Sequence, residues 1–149
     1  MKRMSCFRKS GLGIAMLLAC AGIWVLAQAI PVMAAADPSA ELKTAITHAG
    51  YSAKQEALPG VTMHLHHALN CLVGPQGKGF DAAAGNPCQG QGNGYLPDLK
   101  AAKGETDQYY EAWWAAQVAE QGVAANKLTE TKAASRVVIA VLDTIAKTQ

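Results

Sequence analysis

From Asp37 onward the apolar positions fall into helical spacings near both ends of the chain and lose all periodicity in the middle. Leu42, Ile46, Ala49 and Ala53 recur at steps of four, three and four, which puts them in one stripe along a helix. Asp37 followed by Pro38 predicts where that helix starts, because a short carboxylate caps free N–H groups and proline is tolerated at the first position. Leu58-Pro59-Gly60 predicts its end or a turn, and Val61, Leu65, Leu69 and Leu72 mark a second, short helix that Gly74-Pro75 stops. Residues 74–97 hold seven glycines and three prolines with few large apolar side chains, so they are expected to form an ordered loop rather than a regular element. Phe80 is the expected anchor of that loop, and Asp98 the cap of a further turn through Leu99 to Lys103. Thr106 or Asp107 predicts the start of the next helix, ending near Gly122, whose crowded aromatics Tyr109, Tyr110, Trp113 and Trp114 are expected to fill the core. Asn126 or Thr129 opens a last helix along Ala134, Val138, Val141 and Ile145. Val137 to Val141 has strand propensity, but the residues on either side favour helix. The expectation is an all-α fold, a bundle of about four helices with a long Gly-rich loop.

The first 36 residues follow a different pattern. Met1 to Ser10 is cationic, Leu12 to Ile30 is almost wholly apolar, and Val32-Met33-Ala34-Ala35-Ala36 supplies small residues where a signal peptidase reads. Residues 1–36 are therefore expected to be a secretory signal cleaved after Ala36, leaving 37–149 as a single helical domain in the periplasm or outside the cell. Leu12 to Ala36 is also long enough for an uncleaved membrane anchor, the only route to a membrane the sequence offers. A lipoprotein-like reading of Leu17-Leu18-Ala19-Cys20 fits less well, since acylation at Cys20 would leave an apolar leader.

Charge narrows the partners. The chain of 149 residues carries a formal charge of +2, but from Asp37 onward nine basic residues face eleven acidic ones. A nucleic-acid partner held by a dense basic surface is excluded, and so is a multidomain enzyme. Cys6 and Cys20 fall in the signal segment, which leaves Cys71 and Cys88 as an even pair. In an oxidising compartment that pair reads as a disulfide closing a loop of sixteen residues. Neither Cys-x-x-Cys nor Cys-x-x-Cys-His is present, so redox exchange and covalent haem attachment have no motif.

The histidines carry the sharpest chemical signal. All four lie between His48 and His67, three of them within Met63-His64-Leu65-His66-His67. At about 100° per residue, His64 and His67 project from one strip of a helix together with Cys71. Met63 shares a side with His67, while His66 lies on another face. An antiparallel first helix would bring His48 to the same region. His64 and His67, supported by His48, Met63 and His66, are therefore candidate ligands of a transition metal ion such as copper, zinc or nickel. Equally, His64 and His67 could be boundary residues that bond carbonyls at the base of the disulfide loop beside Asn70. A haem held by histidine or Met63 is a further candidate, although the C-terminal helices offer neither His nor Met as a second axial ligand.

Enzyme chemistry lacks motifs. There is no Gly-x-Ser-x-Gly elbow, no His-Glu-x-x-His and no paired carboxylates, and Gly74 to Gly79 lacks the strand and helix a phosphate cradle needs. The expectation is a binding protein rather than an enzyme; a non-catalytic envelope-stress or interaction module, with the loop as its recognition surface, is the competing reading. The stretch His64-Leu65-His66-His67-Ala68-Leu69-Asn70-Cys71-Leu72-Val73-Gly74-Pro75, with Gly79-Phe80-Asp81 and Asn86-Pro87-Cys88, resembles a core of small exported bacterial proteins of unknown function. That resemblance implies export and the pairing of the two cysteines. The chain is also similar in style to small periplasmic metal-binding bundles, whose histidines recur through every helix as these do not.

Overall fold

A computed structural model describes residues 36–149, so the expected signal segment, with Cys6 and Cys20, lies outside the described residues apart from Ala36. Five helices follow one another, α1 (Pro38–Lys54), α2 (Leu58–Val73), α3 (Tyr95–Lys103), α4 (Asp107–Ala125) and α5 (Leu128–Lys147), and no strand occurs among the described residues. The all-α expectation holds. Leu42, Leu65, Leu69, Leu72, Leu99, Leu142 and Ile145 are fully buried or nearly so, and they bring α1, α2, α3 and α5 onto one core.

Helix starts follow local chemistry. The Asp37 carboxylate accepts the Ser39 N–H at 3.0 Å and Thr106 Oγ1 accepts the Tyr109 N–H at 3.3 Å, as the sequence leads one to expect. Proline misled the reading elsewhere. Leu58-Pro59-Gly60 is the first turn of α2, not a turn ending α1, so α2 is a 16-residue helix rather than a short one. Pro97 likewise sits in the first turn of α3, whose start at Tyr95 shortens the loop to residues 74–94. First-turn N–H groups have no helical partner in any case, so proline there breaks nothing. Asp98 is not a cap: its carboxylate accepts both the backbone and the side-chain N–H of Asn93, at 2.8 and 2.9 Å.

The aromatic expectation fails for three of the four, since only Tyr109 packs against the core. Tyr110, Trp113 and Trp114 are about half exposed, at 52, 47 and 50%. The side of α4 that meets the bundle consists of Ala112, Ala115, Ala116, Ala119 and Gly122, all buried. Small residues let helices approach closely, and Tyr110, Trp113 and Trp114 therefore stay on the outer faces. A Cβ on Gly122 would stand 2.3 Å from Ala134 Cβ and 3.0 Å from Leu65 Cδ2, which shows how tight the crossing of α4 with α5 is. Buried hydroxyls tie the helices further: Ser52 Oγ donates to Val61 O at 2.6 Å and meets Ser135 Oγ at 2.7 Å, and Thr131 Oγ1 donates to Gly122 O at 2.8 Å.

The loop is closed by the Cys71–Cys88 disulfide, with both sulfurs buried. Phe80 is only half-buried and is not its main anchor. Asn70 of α2, fully buried, holds the loop instead: Nδ2 donates to Asp81 O and Gly85 O, each at 2.7 Å, and Oδ1 accepts the Asp81 N–H at 2.9 Å. A loop poor in apolar side chains is thus fixed by its own backbone groups, which find their partners on one buried amide.

Candidate metal centre

The antiparallel pair α1 and α2 builds the site. His48 lies one turn before the end of the buried stripe of α1, and His64 and His67 lie one turn apart on α2. Across the pair, His48 Nδ1 stands 3.3 Å from His64 Nδ1 and 3.1 Å from His67 Nδ1. One nitrogen from each of the three rings falls within 4.8 Å of the others, and all three side chains are half-buried. His48 is therefore a full member of the cluster and occupies its centre.

The second nitrogen of His67 fixes the proton positions. His67 Nε2 is 2.6 Å from Ala84 O, a carbonyl that can only accept, so Nε2 carries the hydrogen and the neutral ring presents a lone pair at Nδ1. The 3.1 Å contact then requires His48 Nδ1–H as donor, and the same N–H faces His64 Nδ1. A single proton serves three converging nitrogens. Burial pushes the pKa of His48 down to about 4, with repulsion from His67 and His64 adding to it. His64 is lowered by the same causes, burial first and then His67. Two of the imidazoles are thereby kept in the neutral form that a metal ion needs.

Tyr51, one turn after His48, closes the side of the cluster: its ring packs edge-on against His48 at 5.7 Å and His64 at 5.5 Å between centroids, yet remains 48% exposed. The sequence reading did not single it out, although its i, i+3 spacing from His48 was available as a signal. Met63 and His66 stand apart. Met63 is 44% exposed, and with His66, Thr62 and Asp81 it lines a separate shallow groove. His66 Nε2 approaches Asp81 Oδ2 at 3.9 Å, and its Nδ1 is buried without a partner. The structure thus joins His48, His64 and His67 and leaves Met63 and His66 on another face. Cys71, on the same strip of α2, is consumed by the disulfide.

The boundary reading holds for His67, whose Nε2 bonds a loop carbonyl beside Asn70, while its Nδ1 joins a cluster that could hold a metal ion. No helix among the described residues is long and apolar enough to cross a membrane. No family model, curated protein or solved structure matches the chain.

Proposed function

We propose that this chain is an exported metal-binding protein that holds one transition metal ion on the Nδ1 atoms of His48, His64 and His67. The observation that carries the reading is the spacing of those nitrogens. Ligands of a tetrahedral ion with bonds of about 2.05 Å stand about 3.35 Å apart, whereas adjacent ligands of a square-planar ion stand about 2.9 Å apart. The cluster shows 3.3 and 3.1 Å. Both lie between the two spacings, so the cluster suits a transition ion held by imidazole in either geometry, and zinc, which has a single oxidation state, is the probe for the tests. The ion takes the place of the shared proton, and His48 moves its own hydrogen to Nε2. Ala84 O supplies the partner that zinc-bound histidines ordinarily have on their other nitrogen. Three protein ligands leave the fourth position to water or an exogenous donor. A haem suits the cluster less well, since the macrocycle would have to pass between axial nitrogens about 4 Å apart on opposite sides of the iron.

The signal-like first 36 residues and the disulfide support export. Calorimetric titration of the purified, disulfide-bonded protein with zinc, copper and nickel tests the function. One equivalent of zinc is expected to bind, His48→Ala, His64→Ala and His67→Ala each to abolish tight binding, and His66→Ala and Met63→Ala to leave it intact. Absence of binding tighter than millimolar, or binding unchanged in the first three variants, rules the function out.

A further inference from the structure

His67, Asn70 and Cys71 follow one another along little more than one turn of α2, and all three are engaged by the same loop. Cys71 bonds covalently to Cys88 within the loop; Asn70 holds Asp81 and Gly85; His67 Nε2 donates to Ala84 O. Gly85 passes so close to His67 that a Cβ there would stand 3.6 Å from Nε2. The segment 81–85 is therefore the wall against which the His67 ring is set. It carries no large apolar side chain, so burial does not hold it in place; the Asn70 clasp and the Cys71–Cys88 closure do.

We propose that the Cys71–Cys88 bridge controls how tightly the three-histidine site holds its ion, by keeping the Ala84 carbonyl on His67 Nε2. The proposal rests on the metal-binding reading above and adds its regulation. A dithiol reductant breaks the S–S bond, yields two cysteine thiols and is itself left as a disulfide, so two electrons and two protons pass to the protein. The Asn70 clasp then holds segment 81–85 without the bridge, the Ala84 carbonyl is fixed less firmly on Nε2, and the tautomer and ring orientation of His67 are less constrained. Loss of such an outer partner weakens metal binding by about 10–100-fold. The three-histidine site itself therefore holds zinc more tightly with the bridge closed than with it open.

Two variants test this with zinc as the probe. Cys71→Ala/Cys88→Ala removes the bridge and leaves no thiolate to bind zinc by itself. Asn70→Ala keeps the bridge and removes the clasp without adding charge. Both are expected to bind zinc about 10–100-fold more weakly than the oxidised wild type. Both are also expected to lose the slowly exchanging His67 Nε2–H signal in proton NMR, which a loss of stability alone would not remove from the folded population. Wild-type affinity in the bridgeless variant with helix content intact overturns the proposal. If that variant loses its helix signal, the wild type reduced in the folded state with both thiols alkylated is titrated instead, and an unchanged zinc affinity there overturns the proposal in the same way. Failure of the oxidised wild type to bind zinc is a different result: it removes the metal-binding reading and this proposal with it.

Discussion

A buried carboxylate two turns before His48 on α1 sets the clearest pH dependence of any single residue. Glu41 is fully buried; its Oε1 accepts the Gly94 N–H at 2.8 Å, while Oε2 has no partner. Burial raises its pKa from 4.5 to about 7, the Gly94 bond opposes the shift, and the neighbouring Asp98 carboxylate adds to it. A raised carboxyl binds its proton more tightly in the folded state, so its contribution is full below about pH 4.5 and is lost as pH rises through 7. Glu41→Gln keeps an acceptor for Gly94 and cannot ionise. It is expected to raise the melting temperature at pH 8 and to leave it near the wild-type value at pH 4; equal effects at both would show that ionisation is not the cause. His48 acts in the opposite sense. Its pKa is depressed to about 4, so the unfolded chain takes up protons that the folded one does not, and stability falls as pH drops from about 6.5 towards 4. His48→Ala is expected to flatten that fall in the metal-free protein, measured by thermal melts between pH 4 and 7.

Elements were legible where local chemistry and periodicity agreed. The stripes Leu42–Ala49 and Val138–Ile145 and the caps Asp37 and Thr106 stand where the sequence put them. Proline and glycine were read too strongly as loop signals: Pro59 and Pro97 occupy first turns, and Gly122 lies inside α4 because Ala134 needs the room. The four aromatics of α4 could not be placed from size alone, since whether a large side chain goes inside depends on how closely the partner helix approaches. Gly122→Ala tests that closeness. The added methyl group meets Ala134 and Leu65, and a loss of about 1–3 kcal/mol is expected on chemical denaturation. An unchanged midpoint would mean that α4 moves freely away from α5. The metal centre was half legible for a related reason. His64 and His67 share a strip by spacing alone, but the entry of His48, and the exclusion of Met63, depend on how α1 lies across α2.

At the scale of the whole molecule, one strip of α2 links a core, a covalent closure and a ligand set. The bridge removes conformational freedom from the unfolded chain, worth ~3 kcal/mol for a loop of this size, and the same bridge fixes the wall behind His67. Zinc binding is expected to add stability in proportion to the logarithm of its concentration, so the melting temperature of the oxidised protein should climb with added zinc and that of His64→Ala/His67→Ala should not. The most direct test of the centre is a crystal of the oxidised protein grown with zinc, with anomalous scattering recorded at the zinc edge. The expected result is one zinc ion bonded to the Nδ1 atoms of His48, His64 and His67 at about 2.0–2.1 Å. A zinc ion held instead by His66 or Met63, or bonded through the His67 Nε2 that faces Ala84, would contradict it.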